Sequence, residues 1–583
     1  MPPNSAQPNQ PNNLIKEPRT APNNIMQPTT RLKISELVLN SLSESQSKGD
    51  LPDTEVEDPA IERPNNIENG DFSCSLPLKL ARSMQMNPLT IADKIAEGIP
   101  TDEVLSRVWT ARPGFINFAL NPPWLAQQVD VIIDAGKSFG RSDFGQDQRV
   151  QVEFVSVNPT GPLHVGHVRG AVIGSALANI MDAAGYDVQR EYYVNDAGNQ
   201  MELFYKSLYA RYLQQFGKDA EIPENGYQGD YMIDLAADIK SEDGDKYLSL
   251  ETEDATRRLG QRGLNRMVDD IRERLGRIGV KYDEWFSEES LFDSGTFDEA
   301  IKIIKDAGYW EERDGAKWFT SSALGEDKDN VIIRSNGQHT YFASDIAYHY
   351  DKFNNRKFDR VINIWGADHQ GHVNRMKTAV KALGFDPDRL DMMLYQMVSF
   401  KRGDELVRAS KRAGNIITID ELVDEVGVDA CRYFFQSRAA ETQMEFDLEL
   451  AKEQSNENPV FYIQYAHART AQIFKLAQER EIEFSDADLS LLTHEAELAL
   501  IRKMLALPEL IETMAKTLES HHLPHYAQEL ATAFHWFYQQ CRVVSNVEGD
   551  EELTKARLRL CQAAKSVVAN CLDLMSMSAP EHM

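Results

Sequence analysis

The chain has 583 residues, of which 42% are apolar and 26% charged, so it is long enough for several globular domains and is not composed like a disordered or fibrous protein. Asp and Glu outnumber Lys and Arg by 91 to 62, and the formal charge of −29 excludes a surface that attracts nucleic acid or anionic lipid everywhere, although it leaves room for a local basic groove. Five scattered cysteines without a Cys-x-x-Cys pair indicate reduced thiols, and the lack of a long apolar run predicts a cytoplasmic protein with no membrane partner.

The N-terminal part of the chain predicts a tail followed by a small α+β domain. Residues 1–30 are rich in Pro, Asn and Gln and offer too little apolar surface to fold. In residues 31–122, helical spacing of apolar side chains is followed by a strand over Phe115–Leu120. A helix over Trp124–Ala135 then leads into a larger domain.

Residues 123–455 show recurring strand, turn and helix units, which favour a parallel sheet with crossover helices. The strands are predicted over Val150–Val157, Asp187–Val194 and Phe358–Trp365. A charged helical stretch at about 200–280 reads as an insertion.

Residues 456–583 have little strand signal, and they predict an all-α bundle. Its helices are expected over Val460–Glu479, Leu491–Leu518, Tyr526–Ser545 and Leu553–Ser576.

Two histidines follow the first strand of the larger domain, after the turn Asn158-Pro-Thr-Gly-Pro162. In His164-Val-Gly-His167 they would lie on one face at a helix N-terminus, where N–H groups and the helix dipole favour a phosphate. Gly166 would let a nucleotide approach the backbone closely. A metal-binding pair and two surface histidines are the alternatives for this motif on its own.

A second candidate is the basic segment Arg408-Ala-Ser-Lys-Arg412. A predicted hairpin turn at residues 401–404 precedes it, and Thr418-Ile-Asp-Glu421, a helix-capping pattern, follows it. Such a segment can be a phosphate-binding loop or merely a solvated charged surface.

Two acidic residues are candidates for binding a cationic substrate. Glu153 lies in an otherwise apolar strand and is not expected to be buried without a partner, which favours a functional role. Asp345 could serve the same role or could cap the helix that follows it.

Six stretches in order carry a family resemblance. They are VEFVSVNPTGPLHVGHVRGAVIG from Val152, YYVNDAGNQM from Tyr192, TYFASDIAYH from Thr340, IWGADHQGHVNRMK from Ile364, RASKRAGN from Arg408 and NPVFYIQYAHAR from Asn458. The first resembles the HIGH signature of class I aminoacyl-tRNA synthetases, and the set resembles the arginyl-tRNA synthetases from about Arg31 to the C-terminus.

The resemblance implies a multidomain α/β protein: a Rossmann-like parallel-sheet catalytic domain, an α+β N-terminal domain that contacts the tRNA elbow, and an all-α C-terminal bundle of the DALR anticodon-binding type. It implies ATP-dependent ligation of L-arginine to tRNA(Arg) through an arginyl-adenylate, releasing AMP and diphosphate, with arginine activation dependent on bound tRNA. Mg²⁺ would accompany ATP without a protein-held metal site, and a monomer is expected.

The resemblance also assigns roles to residues. The catalytic groups would be His164, His167, Lys411 and Arg412. The ATP site would comprise Pro162, Leu163, His164, Gly166, His167, Gly366, Asp368, His369, Ser410 and Lys411. The arginine site would comprise Glu153, Asn158, His167, Tyr341, Asp345 and His369. Arg408 and Ala409 depart from the KMSKS pattern of the family, which puts closure of this loop in doubt, whereas Lys411 retains the cation that phosphate requires.

Expected tRNA contacts in the bundle are Tyr462, Gln464, Tyr465, Arg469, Lys555 and Arg559. Aromatic and amide groups suit unpaired bases, and the two cations belong to a run, with Arg557 and Lys565, that has no acid within it. Because such aromatic residues on a helix often belong to a core, a structural role stays open for each.

Two other functions remain open from the sequence. One is a different class I ligase, such as a lysyl or glutaminyl enzyme, although the acidic pair favours a cation over glutamine and the arginyl-type motifs favour arginine over lysine. The other is a binding paralogue without catalysis, against which the retained His164, His167 and Lys411 argue.

Overall fold

The computed structural model describes residues 30–56, 58–64, 66–403, 405–407 and 418–583. The chain divides into two compact units. The first comprises the chain up to Thr101 together with Arg107–Ala119, and the second comprises Asp102–Ser106 together with Leu120–Met583. The predicted tail, up to residue 29, lies outside the described residues.

The first unit is α+β, as predicted. Its elements are α1 (Thr30–Ser47), β1 (Ile61–Glu62), β2 (Phe72–Cys74), α2 (Leu76–Met84), α3 (Pro88–Glu97), β3 (Leu105–Ala111) and β4 (Phe115–Leu120). The four strands form one sheet in the order β1-β2-β4-β3. Helix α1 forms because Ile34, Val38 and Leu42 recur at helical spacing, and all three are buried.

The second unit begins with α4 (Pro122–Ala135) and is built on a five-stranded parallel sheet. Its strands are β5 (Arg149–Phe154), β6 (Asp187–Val194), β7 (Glu284–Ser287), β11 (Arg360–Gly366) and β12 (Leu390–Tyr395). They lie in the order β12-β11-β5-β6-β7. The three strands predicted from sequence are therefore neighbours in this sheet, which confirms the predicted parallel fold.

Helix α5 (Val168–Ala183) follows β5 and is buried along most of its length against the sheet. Gly174 permits this approach, since a Cβ there would lie 2.2 Å from Cγ of Phe154. The fully buried Arg169 donates hydrogen bonds of 2.8 Å to the carbonyl oxygens of Gln396, Ala439 and Thr442. The start of α5 is thereby fixed to the segments that follow β12.

The predicted helical insertion contains α6 (Asn199–Gln215), α7 (Asp230–Asp243) and α8 (Thr252–Arg277), which share a buried core. Then follow α9 (Glu289–Asp293), α10 (Thr296–Asp306), the antiparallel strands β8 (Trp310–Arg313), β9 (Ala316–Phe319) and β10 (Asn330–Ile333), and α11 (Tyr341–Tyr350). A π-helical turn at Asp351–Asn355 extends α11, and α12 (Val373–Ala382) connects β11 to β12.

A smaller sheet follows, with β13 (Val398–Arg402) between β14 (Glu405–Val407) and β15 (Met444–Asp447). The hairpin of β13 and β14 confirms the turn expected at residues 401–404. The helices of this region are α13 (Ile419–Val426), α14 (Val428–Gln436) and α15 (Leu448–Lys452). Thr418 and Glu421 form the reciprocal cap that their spacing predicts at the start of α13.

The C-terminal bundle comprises α16 (Pro459–Glu479), α17 (Glu495–Met504), α18 (Leu507–Thr517), α19 (His522–Gln540) and α20 (Glu551–Leu574). The prediction of a single helix over Leu491–Leu518 is wrong, because α17 ends at Met504 and a separate helix, α18, begins at Leu507. Pro508, in the first turn of α18, cannot continue a helix begun before it. Among the described helices, none combines the length and apolar character that crossing a bilayer requires.

Candidate active site

The predicted nucleotide site lies where the direction of chain winding changes in the parallel sheet. Strand β5 has β6 on one side and β11 on the other, and Ile364 of β11 pairs with Phe154 at the end of β5. The carboxyl ends of these two strands are therefore adjacent, which is where open α/β sheets bind ligands. The histidine motif follows one of the two strands, and Gly366 ends the other.

The backbone directly after β5 is strained. Val155 and Ser156 have φ angles of +70° and +43°, a conformation that is unfavourable for a β-branched residue. Neighbouring groups hold it in place: the hydroxyl of Tyr192 donates to the Val157 carbonyl over 2.8 Å, and Ser156 Oγ accepts from the backbone of Tyr193 over 3.1 Å. Strand β5 therefore ends at Phe154, before the predicted Val157, and the turn leads to Asn158, whose amide donates to Gln200 over 2.7 Å.

The two histidines stack, with ring centroids 3.7 Å apart. His164 Nδ1 accepts from the backbone N–H of Gly166 over 3.2 Å, and His167 Nδ1 lies 3.5 Å from the backbone nitrogen of His164. Since each neutral ring has one donor nitrogen, these contacts assign the proton of both rings to Nε2. Gly166 is needed here because a Cβ would lie 3.0 Å from the His164 ring.

The histidine motif does not start an α-helix directly. Val165–His167 form a 3₁₀ turn, and α5 begins at Val168. The turn still presents the start of a long helix to the site. Across the described residues, no group of three or more His, Cys, Asp or Glu side chains is arranged to hold a metal ion.

The predicted catalytic segment around Lys411 is bordered by described residues on both sides. Ser410, Lys411 and Arg412 themselves lie outside the described residues. The segment leaves the hairpin at Val407 and returns at Thr418, which forms an isolated antiparallel bridge with His164. The described end of the segment, Thr418, therefore lies beside the histidine pair.

The other residues assigned to ATP surround the same edge of the sheet. Leu163 is buried beneath the histidine turn, and Pro162 is exposed. Gly366 leads into a 3₁₀ segment that carries the exposed side chains of Asp368 and His369. His369 Nε2 lies 3.7 Å from a carboxylate oxygen of Asp368.

Glu153 is buried, and its charge already has a partner. The ammonium of Lys352, which is fully buried, donates to Glu153 Oε2 over 2.6 Å and to Asn363 Oδ1 over 3.0 Å. The argument from sequence required a partner for Glu153 and assigned a substrate to that role. The structure supplies Lys352 as a partner for one oxygen of Glu153, and the assignment of Glu153 to the substrate stays a prediction.

Asp345 does not cap a helix, because α11 begins at Tyr341 and places Asp345 in its second turn. Its surroundings disfavour the charged form. Burial, then the charges of Glu153 and Glu288, raises the pKa of Asp345 to about 7 against the opposing effects of Lys352 and Arg375.

Glu288 is a site residue that the sequence analysis missed. It is 4% exposed, and its Oε2 has no hydrogen-bond partner among the described residues. Burial and the charge of Asp196 raise its pKa to about 7 against the opposing effect of Ser344. No described cation forms an ion pair with Glu288 or Asp345. Glu288 also lines a cleft of about 1430 Å³ together with Asp196, the half-exposed Tyr341 and Ser344.

The predicted tRNA residues on α16 differ in their surroundings. Gln464 is buried, and its amide donates to Asp429 over 2.7 Å and to the Ser578 carbonyl over 3.0 Å, so it is not available to a base. Tyr462 packs against His535 with ring centroids 4.6 Å apart.

Arg469, in contrast, joins a partly exposed aromatic surface on α16 and α19. Its guanidinium lies 4.4 Å from the Tyr465 ring centroid and 4.6 Å from that of Tyr538, and it donates to the Tyr465 hydroxyl over 2.6 Å. Trp536, also on α19, is exposed as well.

The four cations of α20 do not form a free basic patch, because each pairs with a carboxylate. Arg559 pairs with Asp130, and its side chain is only 15% exposed, so the structure does not favour its predicted contact with tRNA. The other pairs are Lys555–Glu552, Arg557–Glu497 and Lys565–Glu581, at 2.7 to 2.8 Å.

Comparison with known proteins agrees with this arrangement. Three family models match: an arginyl tRNA synthetase N-terminal domain over residues 32–120, the catalytic domain of class I (R) tRNA synthetases over 128–471, and a DALR anticodon-binding domain over 463–583. Arginine–tRNA ligases of Dehalococcoides mccartyi and Heliobacterium modesticaldum are 52% and 47% identical, each over 95% of this chain and 99% of the relative. The arginyl-tRNA synthetase structure of Thermus thermophilus has the same fold, with a TM-score of 0.75 at 21% identity over 95% of this chain and all of that one.

Proposed function

This chain belongs to the arginyl-tRNA synthetase family and attaches arginine to tRNA at the expense of ATP, and we propose that arginine and ATP meet at the carboxyl ends of β5 and β11. The family assignment excludes the lysyl and glutaminyl alternatives and confirms the predicted arginine–tRNA ligase activity. The observation that carries the proposal is the pair of carboxyl groups, Asp345 and Glu288, for which the described chain provides no ion-pair partner.

The guanidinium of the substrate arginine provides the positive charge that these two carboxyl groups lack. It is permanently cationic and presents several N–H donors in one plane, which suits two carboxylates better than an ammonium does. We assign Asp345 and Glu288 to the guanidinium and Tyr341 to the wall of the pocket. Asn158, next to the strained turn, receives the amino or carboxylate end of the substrate, as the family resemblance implies, close to His167 and His369.

The pKa values of the pocket give arginine binding a pH dependence. Both carboxyls are raised to about 7, so protons compete with the guanidinium for them below that pH. We expect the KM for arginine, measured at saturating ATP and tRNA from pH 6 to 9, to rise below pH 7 by up to about tenfold per pH unit for each carboxyl, hence up to about a hundredfold for both, and to level off above pH 8. Asp345→Asn should raise KM at pH 8 by at least roughly a hundredfold, because it removes one partner of a buried charge pair, and should leave only the shallower pH dependence of Glu288.

Asp351→Asn is the matched control for this prediction. Asp351 lies on the π-helical extension of the same helix, but its carboxylate pairs with Arg356 over 2.7 Å. Its substitution should leave the pH profile of KM unchanged. A wild-type KM that stays constant from pH 6 to 9 would contradict the assignment.

ATP is positioned by the histidine turn and by the segment that returns to it. The Nε2–H groups of His164 and His167 donate to the phosphates, the turn at Pro162, Leu163 and Gly166 carries them, and Gly366, Asp368 and His369 receive the adenosine. When the arginine carboxylate attacks the α-phosphorus and diphosphate leaves, negative charge grows on the phosphate oxygens. Cationic donors that are already in place stabilise that charge, and the step requires no protein nucleophile.

Lys411, with Arg412 and Ser410, supplies the cation on the other side of the triphosphate. Lys411→Ala should therefore slow adenylate formation by roughly a hundredfold to a thousandfold while leaving the tRNA Kd within about twofold. The measurement is single-turnover formation of arginyl-adenylate with tRNA bound, followed by filter binding of tRNA.

Lys401→Ala provides the control lysine for this test. It lies in the neighbouring hairpin and pairs with Glu445 and Asp447 over 3.3 and 3.4 Å. It should keep adenylate formation within a few-fold of wild type. Equal rates of adenylate formation for wild type and Lys411→Ala would show that the segment has no catalytic role.

The bundle binds tRNA through the surface of Tyr465, Arg469 and Tyr538, with Tyr462 as a supporting residue. Rings and a guanidinium plane can stack on unpaired bases, as anticodon recognition requires.

In the second step of the reaction, the hydroxyl of the terminal adenosine of the tRNA attacks the arginyl-adenylate carbonyl and releases AMP.

Arg469→Ala should weaken tRNA binding by about ten- to a hundredfold, in line with the loss of one stacking contact. Lys555→Ala is the comparison, since Lys555 is paired with Glu552 and should change the Kd for tRNA by less than about threefold. Titrations of wild type and both variants with tRNA(Arg) at one salt concentration check this. A larger loss of tRNA affinity in Lys555→Ala than in Arg469→Ala would indicate that the basic run of α20 contacts the tRNA.

Further features complete the proposal. Mg²⁺ enters bound to ATP as part of the substrate. The catalytic domain is proposed to span 123–455 between an N-terminal domain at 31–122 and the bundle at 456–583, an order in which the three family matches also follow one another. The enzyme acts as a monomer in the cytoplasm, where its substrates are and where its five free, buried cysteines stay reduced.

A further inference from the structure

The C-terminal end of α8, the longest helix of the insertion, is fixed to the parallel sheet. Ile271, Leu275 and Ile278 are buried at this end. Shortly beyond the helix, the ring of Tyr282 stacks on that of Phe154 with centroids 4.6 Å apart, and the Tyr282 hydroxyl donates to the Phe154 carbonyl oxygen over 3.1 Å. Because Phe154 ends β5 and directly precedes the strained turn, the end of α8 has a defined position relative to the histidine turn.

Two arginines at this end of α8 share one carboxylate of α13. Arg274 and Arg277 pair with different oxygens of Asp420, and Arg277 also pairs with Asp424 over 2.7 Å. The side chains of Arg274, Arg277 and Asp420 are 27%, 38% and 29% exposed. An isolated pair at this exposure contributes little, whereas a carboxylate held by two guanidinium groups belongs to a network with restricted geometry. We call these four residues the α8–α13 cluster.

The cluster holds the first turn of α13, which borders the histidine turn. Asp420 is the second residue of the helix, so its negative charge also faces the positive end of the helix dipole. Thr418 caps the helix and forms the antiparallel bridge with His164. Ile419 lies between Thr418 and Asp420 and is buried. A displacement of this turn would therefore move the backbone that lies beside His164.

The last turn of α13 is held by a different set of charges. Glu425 pairs with Arg402 of β13 over 2.7 Å and with Lys452 of α15 over 3.0 Å. These contacts connect the end of the helix to the small sheet and to the helix that follows it. The α8–α13 cluster connects the beginning of the helix to the insertion, so the two ends of α13 can be tested separately.

We propose that the α8–α13 cluster is a set of positioning residues for adenylate formation: it fixes the first turn of α13 and thereby the place of Thr418 beside His164. None of its four side chains is assigned to a substrate, so the cluster acts through the histidine that donates to the phosphates. The proposal rests on the phosphate site proposed above, and it gives the helical insertion a role in the first step of the reaction.

Asp420→Asn tests the proposal because it removes the charge that both arginines share. With tRNA bound and with ATP and arginine saturating, the single-turnover rate constant for arginyl-adenylate formation should fall roughly tenfold, since a misplacement of about 1 Å can cost roughly a hundredfold. KM for arginine should stay within about twofold of wild type, because the guanidinium pocket is not part of the cluster. Asp420→Glu keeps the carboxylate and should retain the rate within about threefold.

The arginines provide a second, independent variant. Arg274→Gln combined with Arg277→Gln removes the other half of the cluster and should also slow adenylate formation by roughly tenfold. Adding Asp420→Asn to it should cause a further loss of less than about threefold, because groups that act in one network are not additive. Independent effects would multiply to roughly a hundredfold and would contradict the proposal. The arginine variant serves if Asp420→Asn does not fold, and thermal midpoints identify an unfolded variant.

Glu242→Gln is the matched control for Asp420→Asn. Glu242 of α7 is likewise shared by two arginines of α8, since it pairs with Arg262 over 2.8 Å and with Arg266. These partners all lie within the insertion, so this variant should keep the rate of adenylate formation within about twofold of wild type. Equal losses in Glu242→Gln and Asp420→Asn would show a general effect on the insertion and would overturn the positioning role.

The outcomes separate this inference from the proposed function. His164→Ala should slow adenylate formation, and an unchanged rate would show that the proposed phosphate site is wrong. If His164→Ala slows the step but Asp420→Asn does not, the phosphate site stands and the positioning role of the cluster is wrong. A loss in Asp420→Asn that Asp420→Glu does not restore would also overturn that role.

Discussion

The cost of burying negative charge without a cation is the constraint on which this site depends. Glu153, Glu191, Glu288 and Asp345 surround the ends of β5 and β6, and among the described residues only the first two form ion pairs with cations of the chain. The other two retain their protons until about pH 7. In the proposed pocket, arginine supplies the positive charge that these two carboxyls lack, so its binding energy and its selectivity over neutral amino acids would have the same origin.

The parallel sheet brings this pocket and the phosphate site together. The change in winding direction between β5 and β11 places the histidine turn beside Gly366, and the strained turn at Val155 and Ser156 connects the turn to the pocket. The bridge of Thr418 to His164 returns the Lys411 segment to the same point. The segment then continues into α13 and α14, and Asp429 of α14 bonds to Gln464 of the bundle. A short series of packed elements thus connects the histidine turn to the C-terminal bundle.

Local sequence patterns were sufficient for much of the fold. Strands β4 and β6 have the predicted limits because they alternate clearly and are bounded by turn residues, and the cap of Thr418 and Glu421 follows from their spacing. The break before Pro508 could have been read from the proline itself. The strands β8 to β10 and β13 to β15 are short, and tertiary pairing rather than local pattern defines them.

The charges of the site were less accessible to sequence analysis because their partners are distant along the chain. Glu153 is 199 residues from Lys352, and Glu288 meets Asp345 only in the folded protein. One signal was available: Asp345, His349, Lys352 and Arg356 recur at helical spacing, which is unusual on a helix whose other residues are mostly buried. The paired state of Arg559 with Asp130 likewise depends on the packing of α20 against α4.

Calorimetry of arginine binding tests the central claim most directly. Arginine is titrated into the enzyme with tRNA bound and ATP absent, at pH 6.5 to 7, in buffers of different ionisation enthalpy. The account predicts that binding releases close to one proton or more as Asp345 and Glu288 ionise, and that the release disappears by pH 9. A binding enthalpy that is the same in every buffer at pH 6.5 to 7 would contradict it.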